Sequence, residues 1–121
     1  MIVAEPGRLR EGLQAMLASF LGAEPMVAGG AELPVMETIR STRPDLIILD
    51  SGFFDARTEA FVRELKSEWN WMGCVLLIDR IRDFQTMQDA GADCVLLKGF
   101  PAGRLFAAVE ELLPQDSGTG R

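Results

Sequence analysis

Short apolar runs alternate along the chain with longer segments of helical periodicity, and this alternation restricts the fold more than any other feature. The runs cover residues 2–4, 26–28, 46–49, 74–78 and 94–97. The segments after them carry apolar residues three or four positions apart, as Leu9, Leu13 and Leu17 do, which is typical of amphipathic helices. Five strand–helix units in strict alternation predict an α/β domain with a parallel sheet and helices on both faces.

Helix-breaking residues set the predicted bounds of the elements. The second predicted helix covers residues 34–42 and stops before Pro44, and a weaker fourth helix covers residues 81–90 and is closed by Gly91. Pro114 ends the last amphipathic helix, and the residues after it have the Gly-rich and polar composition of a linker. We therefore expect one domain over residues 1–114 and a C-terminal tail over residues 115–121.

Composition and charge exclude several classes of function. The net charge of −6 argues against a DNA-binding surface, because phosphate backbones attract faces rich in Lys and Arg. No apolar run approaches the roughly 20 residues that span a bilayer, and the first residues do not resemble a secretion signal. Cys74 and Cys94 form no disulfide framework and are expected to be small buried hydrophobes. These observations predict a cytoplasmic protein with no membrane contact.

The chain contains no histidine, which narrows the chemistry further. A Ser-His-Asp or Cys-His triad and a His-ligated metal site are excluded. A histidine phosphotransfer module is excluded as well, so phosphoryl chemistry here needs another acceptor. No phosphate-binding glycine motif follows the first strand either, where the sequence reads Ala4-Glu5-Pro6-Gly7.

Ionisable residues close four of the predicted strands. They are Glu5, Asp50, Asp79 and Lys98. Each alone has a plain explanation, since an Asp after a strand is usually a cap or turn residue and a Lys before Gly is often a solvated loop charge. Together they meet at the carboxyl edge of a parallel sheet, where functional groups gather. Three carboxylates beside one lysine suit a Mg²⁺ site next to an acceptor carboxylate, which is the equipment of phosphoryl transfer.

Three sequence blocks resemble the receiver domains of NarL/LuxR-type two-component response regulators. They are residues 2–13, ending in Arg10-Glu11-Gly12-Leu13; residues 44–50, reading Pro-Asp-Leu-Ile-Ile-Leu-Asp; and residues 90–98, reading Ala-Gly-Ala-Asp-Cys-Val-Leu-Leu-Lys. The blocks keep the family's order and spacing, and the likeness covers residues 2 to about 113. It implies a doubly wound, flavodoxin-like receiver fold whose five parallel strands have the order 2-1-3-4-5.

The resemblance also implies a role for each matching residue. Asp50 would accept a phosphoryl group from a sensor histidine kinase, and Lys98 would stabilise the charge of that group. Glu5 falls on the second position of the family's acidic pair, so Glu5, Asp50 and the backbone carbonyl of Gly52 would hold Mg²⁺. Ala4 occupies the first position of that pair, which removes one carboxylate and predicts weaker Mg²⁺ binding.

Two further positions depart from the family pattern. Val95 stands where a switching aromatic residue is common, and Asp79 stands where the family has a Ser or Thr that binds the phosphoryl oxygen. An ionised carboxylate can only accept hydrogen bonds. We therefore predict that Asp79 forms an ion pair with Lys98 and disfavours the phosphorylated state. The alternative is that Asp79 turns outward and caps the helix that begins near Ile81.

The leading interpretation is a signalling module and not an enzyme. Phosphorylation of Asp50 would bias a surface formed by the fourth helix, the fifth strand and the fifth helix, which is also a possible homodimer contact. Contact with DNA would require an output domain outside this chain. The first alternative is a phosphorylation-independent pseudo-receiver that binds other proteins, which Ala4, Asp79 and Val95 favour. The second is a small-molecule sensor that uses the strand-end crevice.

Overall fold

The computed structural model describes residues 1–29 and 32–114, so the predicted tail over 115–121 lies outside the described residues. The strands are β1 (Ile2–Val3), β2 (Val27–Ala28), β3 (Leu46–Asp50), β4 (Gly73–Ile78) and β5 (Cys94–Leu97). The main helices are α1 (Arg8–Leu21), α2 (Glu32–Thr42), α3 (Thr58–Glu68), α4 (Phe84–Ala90) and α5 (Ala102–Leu112). A one-turn helix (Ser51–Phe54) and a 3₁₀ turn (Asp55–Arg57) precede α3, and a 3₁₀ turn (Ile81–Asp83) precedes α4.

All neighbouring strands pair in parallel, and the sheet has the order β2-β1-β3-β4-β5. This confirms the predicted doubly wound sheet. In the register, Leu49 lies opposite Leu76, and Leu76 lies opposite Val95. The carboxyl ends of β3, β4 and β5 therefore meet at one edge of the sheet, as the sequence predicted.

The two central strands are buried on both faces because helices cover both sides of the sheet. All six residues of β4 are buried, as are the first four residues of β3. Successive residues contribute to opposite cores, as the two-residue period of a strand requires. Ile47, Leu49, Leu76 and Ile78 pack in one apolar cluster with side chains of α2 and α3. The intervening residues belong to a second cluster with side chains of α1 and α5.

The structure shifts some predicted bounds by one or two residues. The helix α2 begins at Glu32 and not at Pro34, since proline is well tolerated in the first turn, where the backbone N–H has no helical partner. The fourth predicted helix, over 81–90, divides into a 3₁₀ turn and α4. Gly91 ends α4 as predicted, in a left-handed conformation with φ 116°.

A partly buried ion pair ties α3 to the turn between α4 and β5. The Lys66 Nζ lies 2.8 Å from Asp93 Oδ2 and donates to the Met72 carbonyl at 2.7 Å. The same Asp93 oxygen accepts the backbone N–H of Cys74 at 2.8 Å. Asp93 therefore accepts from both a lysine and the backbone amide of Cys74, the second residue of β4. Within the described part of the chain, no helix is long and apolar enough to cross a bilayer.

Candidate functional site

Three of the residues predicted at the strand ends come together at the carboxyl edge of the sheet. Asp50 is the last residue of β3, Asp79 directly follows β4, and Lys98 directly follows β5. The backbone N–H of Lys98 donates to the Ile78 carbonyl at 2.8 Å, which aligns the ends of β4 and β5. Asp50 lies opposite Leu77 in the register, so Asp79 and Lys98 leave the edge of the sheet slightly beyond it.

The ammonium group of Lys98 bridges two carboxylates. Its Nζ lies 2.5 Å from Asp50 Oδ1 and 3.0 Å from Asp79 Oδ1. The side chain of Asp50 is 16% exposed and that of Asp79 is 57% exposed, so the first carboxylate lies inside the site and the second at its rim. Burial alone would lower the pKa of Lys98, but the hydrogen bonds and charges of Asp50 and Asp79 outweigh it, and the net effect is a raised pKa. Lys98 is therefore a fixed cation at neutral pH.

The loop after β3 supplies a further contact to Asp50. The backbone N–H of Gly52 donates to Asp50 Oδ1 at 3.0 Å, within the one-turn helix that follows the strand. Oδ1 thus accepts from both Lys98 and Gly52, while none of the hydrogen bonds found in residues 1–29 and 32–114 involves Oδ2. Oδ1 therefore fixes the orientation of the carboxylate, and Oδ2 is the oxygen that is available to react.

The position of Asp79 agrees with the predicted ion pair and not with the predicted cap. Arg80 occupies the capping position of the 3₁₀ turn that starts at Ile81, and no side chain caps that turn. Asp83 precedes α4 and does not cap it through its side chain either. The effect of the Asp79–Lys98 pair on phosphorylation stays a prediction.

The predicted acidic pair at positions 4 and 5 does not join the cluster of Asp50, Asp79 and Lys98. Ala4 is 1% exposed, and its carbonyl accepts a hydrogen bond from Arg10 Nη1 at 3.3 Å. Glu5 is exposed, and no ion pair or hydrogen bond of the described residues joins it to Asp50. Within the described ranges, no group of three or more His, Cys, Asp or Glu side chains is placed to hold a metal ion. The predicted donors, which are Asp50, Glu5 and the Gly52 carbonyl, are hard oxygen ligands of the kind that Mg²⁺ prefers, so they fit the ion in chemical type, and Asp50 is the carboxylate among them that lies in the assembled site.

A cleft of about 340 Å³ opens beside Asp50. Its lining includes Asp79, which the sequence identified, and residues that the sequence did not single out, namely Glu59, Arg80, Asp83 and Thr86. No motif marks these four residues. Arg80 alone had a usable signal, since it stands two positions after a strand end. Val95, the other atypical position, is 6% exposed in β5 and packs in the cluster under α2 and α3.

Among curated proteins, a transcriptional regulator resembles about two thirds of this chain. No family model matches the chain. The KDP operon transcriptional regulatory protein KdpE of Escherichia coli is 37% identical over 79 residues, which are 64% of this chain and 35% of KdpE. The chain thus spans about a third of the length of this curated relative.

Solved structures show the same fold over nearly the whole chain. The signal receiver domain of a histidine kinase from Syntrophus aciditrophicus is 26% identical with a TM-score of 0.75, and the match covers 99% of this chain and 91% of that one. A Mn²⁺-bound form of the response regulator Rcp1 is 18% identical with a TM-score of 0.65, over 94% of this chain and 97% of that one. The second likeness, at its low identity, concerns the fold alone.

Proposed function

Because the chain is a receiver domain of the kind found in two-component response regulators, we propose that Asp50 accepts a phosphoryl group from a sensor histidine kinase. The observation that carries this proposal is the environment of Asp50. Its carboxylate is mostly buried, and a lysine ammonium lies 2.5 Å from one of its oxygens. A carboxylate nucleophile held beside a fixed cation is the arrangement that an acyl phosphate needs.

The proposed step uses both oxygens of Asp50. Oδ1 is oriented by Lys98 and the Gly52 amide, which leaves Oδ2 to attack the phosphorus of the donor. A P–O bond to Asp50 forms while the P–N bond to the kinase's histidine breaks, and the electron pair of that bond leaves with the imidazole nitrogen. Lys98 then stabilises the charge of the phosphoryl oxygens. In this proposal the domain is a signalling module and not a metabolic enzyme.

Asp50, Glu5 and the Gly52 carbonyl are the groups that we propose to hold Mg²⁺. The bound form of Rcp1 shows that a protein of this fold takes up a divalent ion. The ion would offset phosphoryl charge that Lys98 alone does not balance. With Ala4 at the first acidic position, water supplies more of the ligands, and we expect weaker binding than a full acidic pair gives.

The proposed output is a change of the surface formed by α4, β5 and α5, which also serves as a homodimer contact. KdpE is a transcriptional regulatory protein, and the chain matches about a third of its length. An output domain outside this chain would therefore make any contact with DNA, as the net charge of −6 also favours. Both cysteines of the described residues are free thiols, which supports a location in the reducing cytoplasm.

Intact mass spectrometry after incubation with acetyl phosphate and Mg²⁺ tests the proposal. We expect the parent to gain the mass of one phosphoryl group and to lose it in hydroxylamine, which cleaves acyl phosphates. Asp50→Asn should gain nothing. Asp45→Asn is the matched control, because Asp45 is an exposed carboxylate just before the same strand and should leave the gain unchanged.

The pseudo-receiver is the second candidate, and the shared lysine favours it. The Lys98 ammonium group already pairs with Asp79, and Ala4 places a buried methyl group at the first acidic position. The same experiment separates the two functions. A folded parent that gains no phosphoryl group at saturating acetyl phosphate and Mg²⁺ would be a phosphorylation-independent interaction module.

A further inference from the structure

A groove of about 280 Å³ is lined by Lys98 but not by Asp50. Its walls are the segment between β4 and α4 and the loop between β5 and α5. Ile81 and Phe84 form one wall, and Phe100 and Pro101 form the other, with Val95 among the residues that line it. Ile81 is 68% exposed, so the groove presents an apolar wall to solvent. Its width depends on how closely residues 79–84 stand to β5.

Residues 79–84 have few polar contacts with the strand beside them, and Phe84 at the end of the segment packs against the apolar cluster that contains Val95. The segment contains a 3₁₀ turn whose side chains form no caps, and its internal bonds join Asp83 to Arg80 and Phe84 to Ile81. Among the described residues, the Asp79–Lys98 pair is the side-chain polar contact that ties this segment to the end of β5. The pair therefore connects the segment that carries Ile81 to Lys98, which lines the groove.

The charge of Asp79 determines what a phosphoryl group on Asp50 would do to this contact. A hydroxyl at position 79 could donate a hydrogen bond to a phosphoryl oxygen and would be drawn towards it. A carboxylate can only accept, and it is a like charge beside a dianion. Lys98 already lies 2.5 Å from the acceptor and would move fully onto the new oxygens. Asp79 then loses its partner and is repelled from the site.

We propose that the Asp79–Lys98 pair is a clasp that holds residues 79–84 against β5, and that a phosphoryl group on Asp50 opens the clasp. The second half of this proposal rests on the proposed function, whereas the first half does not. In this device, phosphorylation drives the β4–α4 segment away from the acceptor. The groove between Ile81 and Pro101 widens as a result. Without a phosphoryl group, the ion pair between Asp79 and Lys98 keeps the groove in its narrow form.

Amide hydrogen exchange without any phosphodonor tests the clasp itself. Asp79→Asn keeps the size of the side chain and removes its charge, and we expect exchange over residues 79–84 to accelerate about three- to fivefold, as the loss of a modest ion pair predicts. Asp83→Asn is the matched control, because Asp83 lines the same cleft and does not pair with Lys98. Unchanged exchange in Asp79→Asn, or an equal change in both variants, overturns the clasp.

The phosphorylated protein tests the opening. In parent protein that carries the acyl phosphate, exchange over residues 79–84 should rise to the level of Asp79→Asn, and that variant should show no further rise. Asp79→Thr should give a higher acyl phosphate yield than the parent at fixed acetyl phosphate and Mg²⁺. Equal yield and lifetime in the two proteins overturn the inhibitory role of Asp79. A parent that is never phosphorylated contradicts the proposed function, while the exchange data without phosphodonor still decide the clasp.

Discussion

At the scale of single residues, Ala4 places a methyl group where the family's acidic pair has its first carboxylate. Ala4 is buried against the cluster formed by α1 and α5, and Glu5 beside it is exposed. The position of Ala4 at the end of β1 is set by the sheet. The direction of the Glu5 side chain is set by the loop that follows. The chemistry at this end of the strand therefore depends on which of the two neighbours carries a carboxylate.

We expect Ala4→Asp to increase Mg²⁺ affinity on the order of tenfold, or about 1.4 kcal/mol. A buried carboxylate without a partner is costly, so the variant should be less stable than the parent in EDTA and should recover stability as Mg²⁺ is added. Thermal unfolding across a MgCl₂ series measures both effects. Ala4→Asn has the same size without the charge and should lose stability without recovering it. An Ala4→Asp variant with no gain in Mg²⁺ affinity would count against the assignment of Glu5 as a ligand of the ion.

Cys74 gives the molecule a predictable response to alkaline pH. Burial, followed by the charge of Asp93, raises the pKa of its thiol to about 12, although Lys66 opposes the shift. In the unfolded chain the thiol ionises near its ordinary value of 9.0, so above that pH the unfolded state binds fewer protons than the folded state. The free energy of unfolding should then fall with rising pH, by up to about 1.4 kcal/mol per unit from this group.

The comparison with Cys74→Ala isolates that contribution. Urea unfolding at several pH values between 8 and 11 should show the parent losing stability more steeply than the variant. Cys94 titrates in both proteins and cancels in the difference. Parallel curves over this range would show that Cys74 ionises in the folded state as readily as in the unfolded state.

At the scale of elements, the ion pair below β4 supports the strand that ends at the site. Asp93 accepts from the Cys74 amide and from Lys66, which also binds the Met72 carbonyl. We expect Asp93→Ala to lower the free energy of unfolding by about 2–3 kcal/mol, because a buried amide and a mostly buried lysine lose their partner. Equilibrium unfolding in urea measures the loss.

Asp89 offers the control for this prediction. It lies on the exposed surface of α4, where Gln85 donates to it at 3.0 Å, and Asp89→Ala should change stability by less than about 0.5 kcal/mol. Equal losses in the two variants would mean that the cost comes from removing negative charge and not from the hydrogen bonds of Asp93.

The elements also show where sequence patterns stop being informative. The bounds of β3 and β4 were predicted to within one residue, because continuous apolar runs of four or five residues are too short to form a helix. The start of α2 was missed because Pro34 is compatible with both the end of a loop and the first helical turn. The apolar spacing predicts an α-helix over Ile81–Asp83, where the structure has a 3₁₀ turn, because a single turn is too short for the two helix types to differ in apolar spacing.

At the scale of the whole molecule, the predictable part of the site is the part that the topology dictates. Parallel strands in the order 2-1-3-4-5 place the ends of β3, β4 and β5 side by side, which brings Asp50, Asp79 and Lys98 together. The lining of the cleft by Glu59 and Thr86 was not predictable, and Arg80 carried only the signal of its place two positions after the end of β4. These residues arrive from α3, α4 and the segment before α4, and their approach depends on how the helices pack on the sheet.

The proposed dimer surface leads to a prediction about self-association. The acetyl phosphate-treated parent should dimerise through α4, β5 and α5. Ile81→Ser should weaken the dimer about tenfold, because Ile81 is an exposed apolar side chain in the 3₁₀ turn that borders that surface before α4. Sedimentation velocity over a concentration series measures the dissociation constant. Trp71→Ser removes a side chain that is 55% exposed just before β4, away from the proposed surface, and should leave association unchanged. A dimer that depends on Trp71 instead would use another face.

The pairing of α1 with α5 on one face of the sheet has a consequence for biosynthesis. That face joins Leu13 and Leu17 near the start of the chain to Leu105 and Val109 near residue 114, whereas the opposite face is complete once β5 exists. A nascent polypeptide that has emerged only as far as β5 can bury one side of its sheet and still presents the apolar side chains of the other to the cell. Among the helices of the described residues, α5 leaves the ribosome last, and its emergence removes this exposure.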